Sequence, residues 1–300
     1  MSLRIIPALN LNLKEIFMNS HELDAPLPAW VEPLPPTSDW TLSTPARFFF
    51  QVLALVDVEF RKLWRDPSDL ITRAVQPALW LLIFGNVFSK LRAVPTGDMN
   101  YLDFMAPGIL AQSVLFLAIF YGIGVIWERD LGVVHKLLVS PTPRAALVLG
   151  KALSAGVRAL IQAVFVYFLA WLLGVHLNLG IVPLLGVGIV SLLGAIAFSV
   201  FSLIIACVVK SRERFMGIGQ LLTMPLFFAS NAIYPISIMP GWLKVIARIN
   251  PLTYQVDALR ALMIQGGESV FGLGLDFAVL GATVTLLVTL CARIYPNLVR

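Results

Sequence analysis

The sequence predicts an all-α integral membrane protein: six transmembrane helices, an N-terminal amphipathic interfacial helix, and re-entrant outer helices before the sixth span. Two observations carry this. Of the 300 residues 58% are hydrophobic and only 13% charged, against a usual charged share of about 25% in soluble domains. The apolar residues also come in long blocks, and a hydrocarbon core about 30 Å thick needs ~20 residues of helix.

Residues 1–44 are polar, hold the proline-rich PLPAWVEPLPPT and keep no period, so they read as a disordered or mobile cytoplasmic extension. The first residues lack the order of a cleaved secretory signal, and insertion is expected to rely on internal spans. Over 45–67, Phe49, Leu53, Val56, Phe60 and Leu63 recur at helical spacing opposite Gln51, Asp57, Arg61 and Arg65, which predicts an amphipathic helix closed at Pro67. The six-span domain then covers 68–295, with spans at about 71–91, 106–126, 145–174, 181–209, 215–236 and 270–293. Fourteen Lys and Arg flank one side against five on the other, which places both termini in the cytoplasm and accounts for the +5 charge without nucleic acid. Cys207 and Cys291 read as small buried apolar residues.

Between spans five and six, YPISIMPGWLKVIARINPLTYQVDALRALMIQGG is too apolar for a solvated loop yet broken by Pro235, Pro240 and Pro251. Two short helices that dip into the outer leaflet and return fit it. Asp257 and Arg260, three residues apart, are expected to pair as a structural closure.

No enzyme site appears. Gly150–Lys151 is followed by Ala152 and lacks a glycine five residues upstream, so there is no phosphate-cradling loop. The histidines lack metal-binding spacing, and no serine lies in a nucleophile motif. More informative is ERDLGVVHKLLVSPTPR, residues 128–144: Trp127, Leu131, Val134 and Leu138 form one apolar stripe, with Glu128, Asp130, His135 and Lys136 off it, until Pro141 and Pro143 end the helix. It reads either as a lever for a cytoplasmic partner or as a solvated connector. On the third span Arg144, Lys151 and Arg158 repeat every seven residues and Gln162 follows one turn later. A charge at a helix centre costs ~2.5–3.5 kcal/mol on the insertion scale, so Arg158 is expected to face protein, water or an acid rather than lipid, unless it snorkels. Phe116, Phe120 and the other span aromatics read as core packing.

The segment 128–151, NPLTYQVDALR and the preceding YPISIMPGWL together resemble the membrane subunits of ABC type-2 exporters, especially daunorubicin-exporter-like permeases, over roughly 45–295. The resemblance implies a permease that dimerises with a second copy or paralogue and takes its energy from separate ABC ATPase subunits, which hold the ATP and Mg; this chain would bind no cofactor. It implies a connector at Phe49–Trp64, a coupling region at Glu128–Arg144 containing Glu128, Arg129, Gly132, His135, Lys136, Pro141 and Arg144, and re-entrant helices at Ile236–Ala261 containing Pro240, Trp242, Asn250, Pro251, Tyr254, Asp257 and Arg260. The substrate it implies is hydrophobic or amphipathic, a drug-like molecule or lipid, in a bacterial inner membrane or, compatibly, a plastid one. A lipid-linked polysaccharide exporter, an ion-coupled transporter and a non-transporting scaffold are the competing readings.

Overall fold

The helices begin and end where caps and backbone chemistry dictate. The computed structural model describes residues 57, 61, 75–91, 95, 99–134, 144–209 and 211–295. The expected N-terminal extension lies outside them, as does the connector except for Asp57 and Arg61, which are helical and joined by a 2.8 Å ion pair one turn apart. A π-helical segment, Trp80–Gly85, leads into α1 (Asn86–Leu91), followed by α2 (Tyr101–Asp130), α3 (Arg144–Leu172), α4 (Ile181–Val208), α5 (Arg212–Phe228), α6 (Gly241–Ile249), α7 (Pro251–Met263) and α8 (Leu273–Ile294).

Four of these, α2, α3, α4 and α8, are long and apolar enough to cross a membrane. The segments expected as spans one and five are helical but shorter over the described residues. α5 has 17 residues, about 25 Å at 1.5 Å per residue, and stops at Phe228 rather than continuing to 236. There Ser230 donates its hydroxyl hydrogen to Phe227 O at 2.7 Å and accepts from Ala232 N–H at 3.3 Å, which folds the chain back.

Local signals explain the boundaries. The Ser211 side chain caps α5 by accepting from Arg214 N–H, and Asn250 caps α7 by accepting from Leu252 N–H at 3.0 Å, with Pro251 at the position that needs no donor. α2 ends because Gly132 takes φ +73°, the left-handed conformation that side chains resist. This corrects the expected continuous stripe at Leu131, while Leu138 lies outside the described residues. The turn at Leu131–Gly132 breaks it, so Leu131 is 73% exposed while Val134 is fully buried. At Gly132 an added Cβ meets no atom within 4 Å. Gly132→Ala is therefore expected to cost only backbone strain, about 1 kcal/mol, read as a small fall in thermal unfolding temperature.

α4 is the central helix and packs against α2, α3, α7 and α8. Its small residues Ser191, Ala195 and Ser199 are all fully buried, as close helix approach requires. At Gly108 of α2 the backbone itself leaves no room, since a Cβ there would lie 2.3 Å from the backbone oxygen of Ala232. One core cluster surrounds Ile109, Val190 and Val256, and a second, toward Asp130 and Arg144, surrounds Val125, Leu147 and Leu203. Large apolar side chains such as Val164, Leu185, Leu221 and Leu286 remain exposed, a surface that needs an apolar solvent or partner.

At the opposite end, the chain after α3 is stitched to the end of α7. Asn178 N–H donates to Met263 O at 2.8 Å and Gln265 N–H to His176 O at 2.9 Å. His176 meets Asp103 of α2 at 2.9 Å, a pairing across 73 residues.

Candidate coupling site

The end of α2 and the start of α3 bring together two charged residues that the sequence leaves unconnected. The Lys151 ammonium donates to the Glu128 carboxylate, with side chains 7% and 20% exposed. Lys151 could not sit there alone, since an isolated buried ammonium is expelled or neutralised. The ion pair thus ties the last turn of α2 to the second turn of α3, on either side of the 131–143 connection.

A second clasp holds α2 to α5. Asp130 accepts from Arg129 at 2.9 Å and from Arg212 at 2.7 Å, and the Arg212 guanidinium lies 3.6 Å from the centre of the Trp127 ring. Arg212 therefore uses both of its faculties, a fork for a carboxylate and a flat face for an aromatic ring. Arg212→Ala is expected to lower stability by about 1 kcal/mol, since the pair is partly solvated, with Arg212→Lys losing most of the same amount because an ammonium cannot stack; thermal unfolding of the three proteins in detergent checks this.

Further along α3, Arg158 lies 5.4 Å from the Tyr121 ring centre on α2, and Gln162 is 2% exposed. The seven-residue repeat of α3 thus meets α2 at Lys151 and Arg158, while Arg144 at its start is exposed. Of the expected coupling residues, His135, Lys136 and Pro141 lie outside the described residues. Glu128, Arg129 and Gly132 cluster at the α2 terminus.

The helices between α5 and α8 hold the expected outer residues. Pro240 precedes α6, whose Trp242 is 67% exposed. Asn250 donates its amide to Leu226 O at 2.7 Å while capping α7, and the Tyr254 hydroxyl donates to Arg248 O at 2.7 Å. Asp257 and Arg260 do not form the expected ion pair. Asp257 accepts from the Ser269 hydroxyl at 2.8 Å and from Phe271 N–H at 3.0 Å. Arg260 donates to Asn231 O at 2.8 Å and stacks 3.9 Å from the Phe104 ring centre. Three-residue spacing permitted the pair, but both side chains are buried and each finds better-placed partners on neighbouring elements.

Asp130, Arg212 and Asp103 were not singled out by the sequence as site residues. Asp103 alone had a legible signal, an acid close to a long apolar run.

Residues 50–264 match the ABC-2 type transporter family. The chain belongs to that family. It is 32% identical over 228 residues to the transport permease ycf38 of Cyanophora paradoxa, covering 73% of this chain and 77% of that one. It is 27% identical over 249 residues to the daunorubicin resistance ABC transporter permease DrrB1 of Streptomyces coeruleorubidus, covering 81% and 87%. Nodulation protein J of Rhizobium leguminosarum bv. trifolii is 25% identical over 199 residues, 66% of this chain and 74% of that one. The ABC-2 chain is thus a transmembrane ABC transporter permease, as its resemblance to daunorubicin-exporter-like permeases implied, and its family implies an ABC ATPase partner.

Proposed function

We propose that this permease exports a hydrophobic or amphipathic molecule, a drug-like compound or lipid, using ATP hydrolysed by separate ATPase subunits. Two permeases, identical or paralogous, form the path in the membrane lipid, each with six spans, a connector before the first and re-entrant α6 and α7 on the outer side. Both termini face the cytoplasm, in a bacterial plasma membrane or a plastid one.

The observation that carries the reading is the Glu128–Lys151 ion pair. It joins α2 and α3 on both sides of the segment that would meet the ATPase, so a push on 131–143 moves two spans as one body. The Asp130–Arg212 clasp extends the same movement to α5. Coupling needs an element with two states whose balance the ATPase biases, and the α2 terminus with its connection to α3 is that element. A daunorubicin resistance permease among the relatives supports a drug-like substrate.

The test is purification of the tagged chain from its native membrane, identification of the associated ATPase, and reconstitution of both in proteoliposomes. Export of a fluorescent amphiphile such as daunorubicin, with ATP hydrolysis stimulated by it, is expected. An ATPase that never co-purifies, or hydrolysis without movement of any amphiphile, sinks the reading.

A further inference from the structure

Halfway along α2 a small cavity opens against α3 and the residues just before the π-helical segment. Its volume is about 110 Å3 and its lining includes Gln76, Gln112, Phe116, Phe120 and Gln162. Gln112 is 3% exposed and Gln162 2% exposed, and Gln162 Nε2 has no hydrogen-bond partner. α2 spans 30 residues, so Gln112–Phe120 sit around its midpoint, far from either end.

Three carboxamides at that depth are not explained by the ion pairs at the helix ends. A buried amide donor left unpaired is costly, and a leucine at position 162 would have avoided it. The lining combines amide donors with two phenyl rings whose centres are 6.2 Å apart. It suits an uncharged group with an acceptor oxygen attached to flat apolar carbon: a ketone, quinone or ester. A cavity of this size holds a few waters, or one carbonyl with part of a ring, given that about 150 Å3 admits benzene.

We propose that this cavity is a binding site for the neutral, oxygen-bearing group of an amphipathic molecule, with Gln162 and Gln112 hydrogen-bonding the oxygen and Phe116 and Phe120 contacting the attached ring. That the occupant is the transported molecule rests on the exporter reading; the binding itself does not. In the exposed apolar groove beside Phe168 and Trp171 on α3 the Tyr167 hydroxyl already gives its hydrogen to Asn178 O at 2.6 Å, so it has none to offer a ligand.

Acetophenone, with one carbonyl on one ring, is the probe. On illumination its excited ketone takes hydrogen from a nearby C–H, and the two carbon radicals combine to a carbinol adduct that mass spectrometry locates. The full chain in lipid nanodiscs, without ATPase, is expected to label saturably on the peptide holding Phe116 and Phe120. Gln162→Leu combined with Gln112→Leu is expected to weaken saturation about fivefold, the worth of one ordinary hydrogen bond. A diazirine-bearing alkane, which needs no donor, should label that peptide equally in both proteins, showing that the fold survives. Gln76→Leu, at the exposed mouth, provides a milder variant with a smaller loss in the same direction.

Labelling that never saturates, that is indifferent to the leucine variants, or that concentrates at Phe168 and Trp171 overturns the site. Because labelling needs no ATPase, saturable labelling of a protein that exports nothing when reconstituted with its ATPase would retain the site and refute the exporter reading. ATP-driven export without saturable labelling would do the reverse.

Discussion

Lys151→Met is expected to destabilise the protein by on the order of 3 kcal/mol, the low end for removing one partner of a buried pair, because Glu128 would remain as an uncompensated charge that keeps a fifth of its side chain exposed. The measurement is thermal unfolding in a fixed detergent, with Glu128→Leu and the double variant completing a cycle. Lys151→Met with Glu128→Leu should regain most of the loss, since a well-packed apolar pair often replaces a buried ion pair without cost. Stability and coupling are expected to part company there: the restored double variant should hydrolyse ATP in complex with its ATPase while exporting poorly. A double variant that exports normally would remove the ion pair from the lever and leave it as packing.

The second large effect concerns Asp257 and Asp276, two buried acids that share Ser269. The Ser269 oxygen lies 2.8 Å from one carboxyl oxygen of each and accepts from Gly272 N–H at 2.7 Å. A hydroxyl has one hydrogen and two lone pairs, so it can donate to only one acid. Asp257 already accepts from Phe271 N–H through that same oxygen, which makes it the acceptor, and Asp276 is then the group that must present a hydrogen. Asp276→Asn is therefore expected to be nearly neutral, because an amide can donate to Ser269. Asp257→Ala, which strands the Phe271 N–H and the Ser269 hydroxyl, should cost about 3 kcal/mol, two unsatisfied donors at ~1–3 kcal/mol each with some relief from water. Equal losses for the two substitutions would refute this assignment of hydrogens.

The two cases show how differently the sequence informs about such groups. The seven-residue repeat of Arg144, Lys151 and Arg158 put three cations on one face of α3, and helical geometry alone guaranteed that they would share it. Which residues they would meet was not legible, because Glu128 and Tyr121 belong to another helix and reach α3 only through the packing of α2 against it. Three-residue spacing likewise offered Asp257 to Arg260, yet spacing states only what is possible. In a crowded interior the choice falls to the partner that leaves the fewest polar groups unsatisfied, and those partners came from the 269–271 loop and from Asn231.

Gly132 marks a similar boundary. Apolar periodicity from Trp127 to Leu138 suggested one helix, and periodicity is blind to a single residue that adopts positive φ. Gln112 leaves no trace in the sequence, because one amide in a long apolar run disturbs no period; its place becomes visible only once α3 sets Gln162 across the same cavity.

By itself the sequence determined that this chain belongs in a membrane, that long apolar helices such as α2, α3, α4 and α8 carry it there, and that prolines would break the outer segment into short helices. These are properties of composition and of neighbours along the chain, and hydration and backbone geometry act on them without reference to the rest of the molecule. The tertiary structure alone decided which charges pair, where α2 breaks from α3, and that three glutamines converge on one cavity. Each of those depends on residues far apart in the chain, and the cost of an unpaired polar group in an apolar interior is paid only when packing has determined its surroundings.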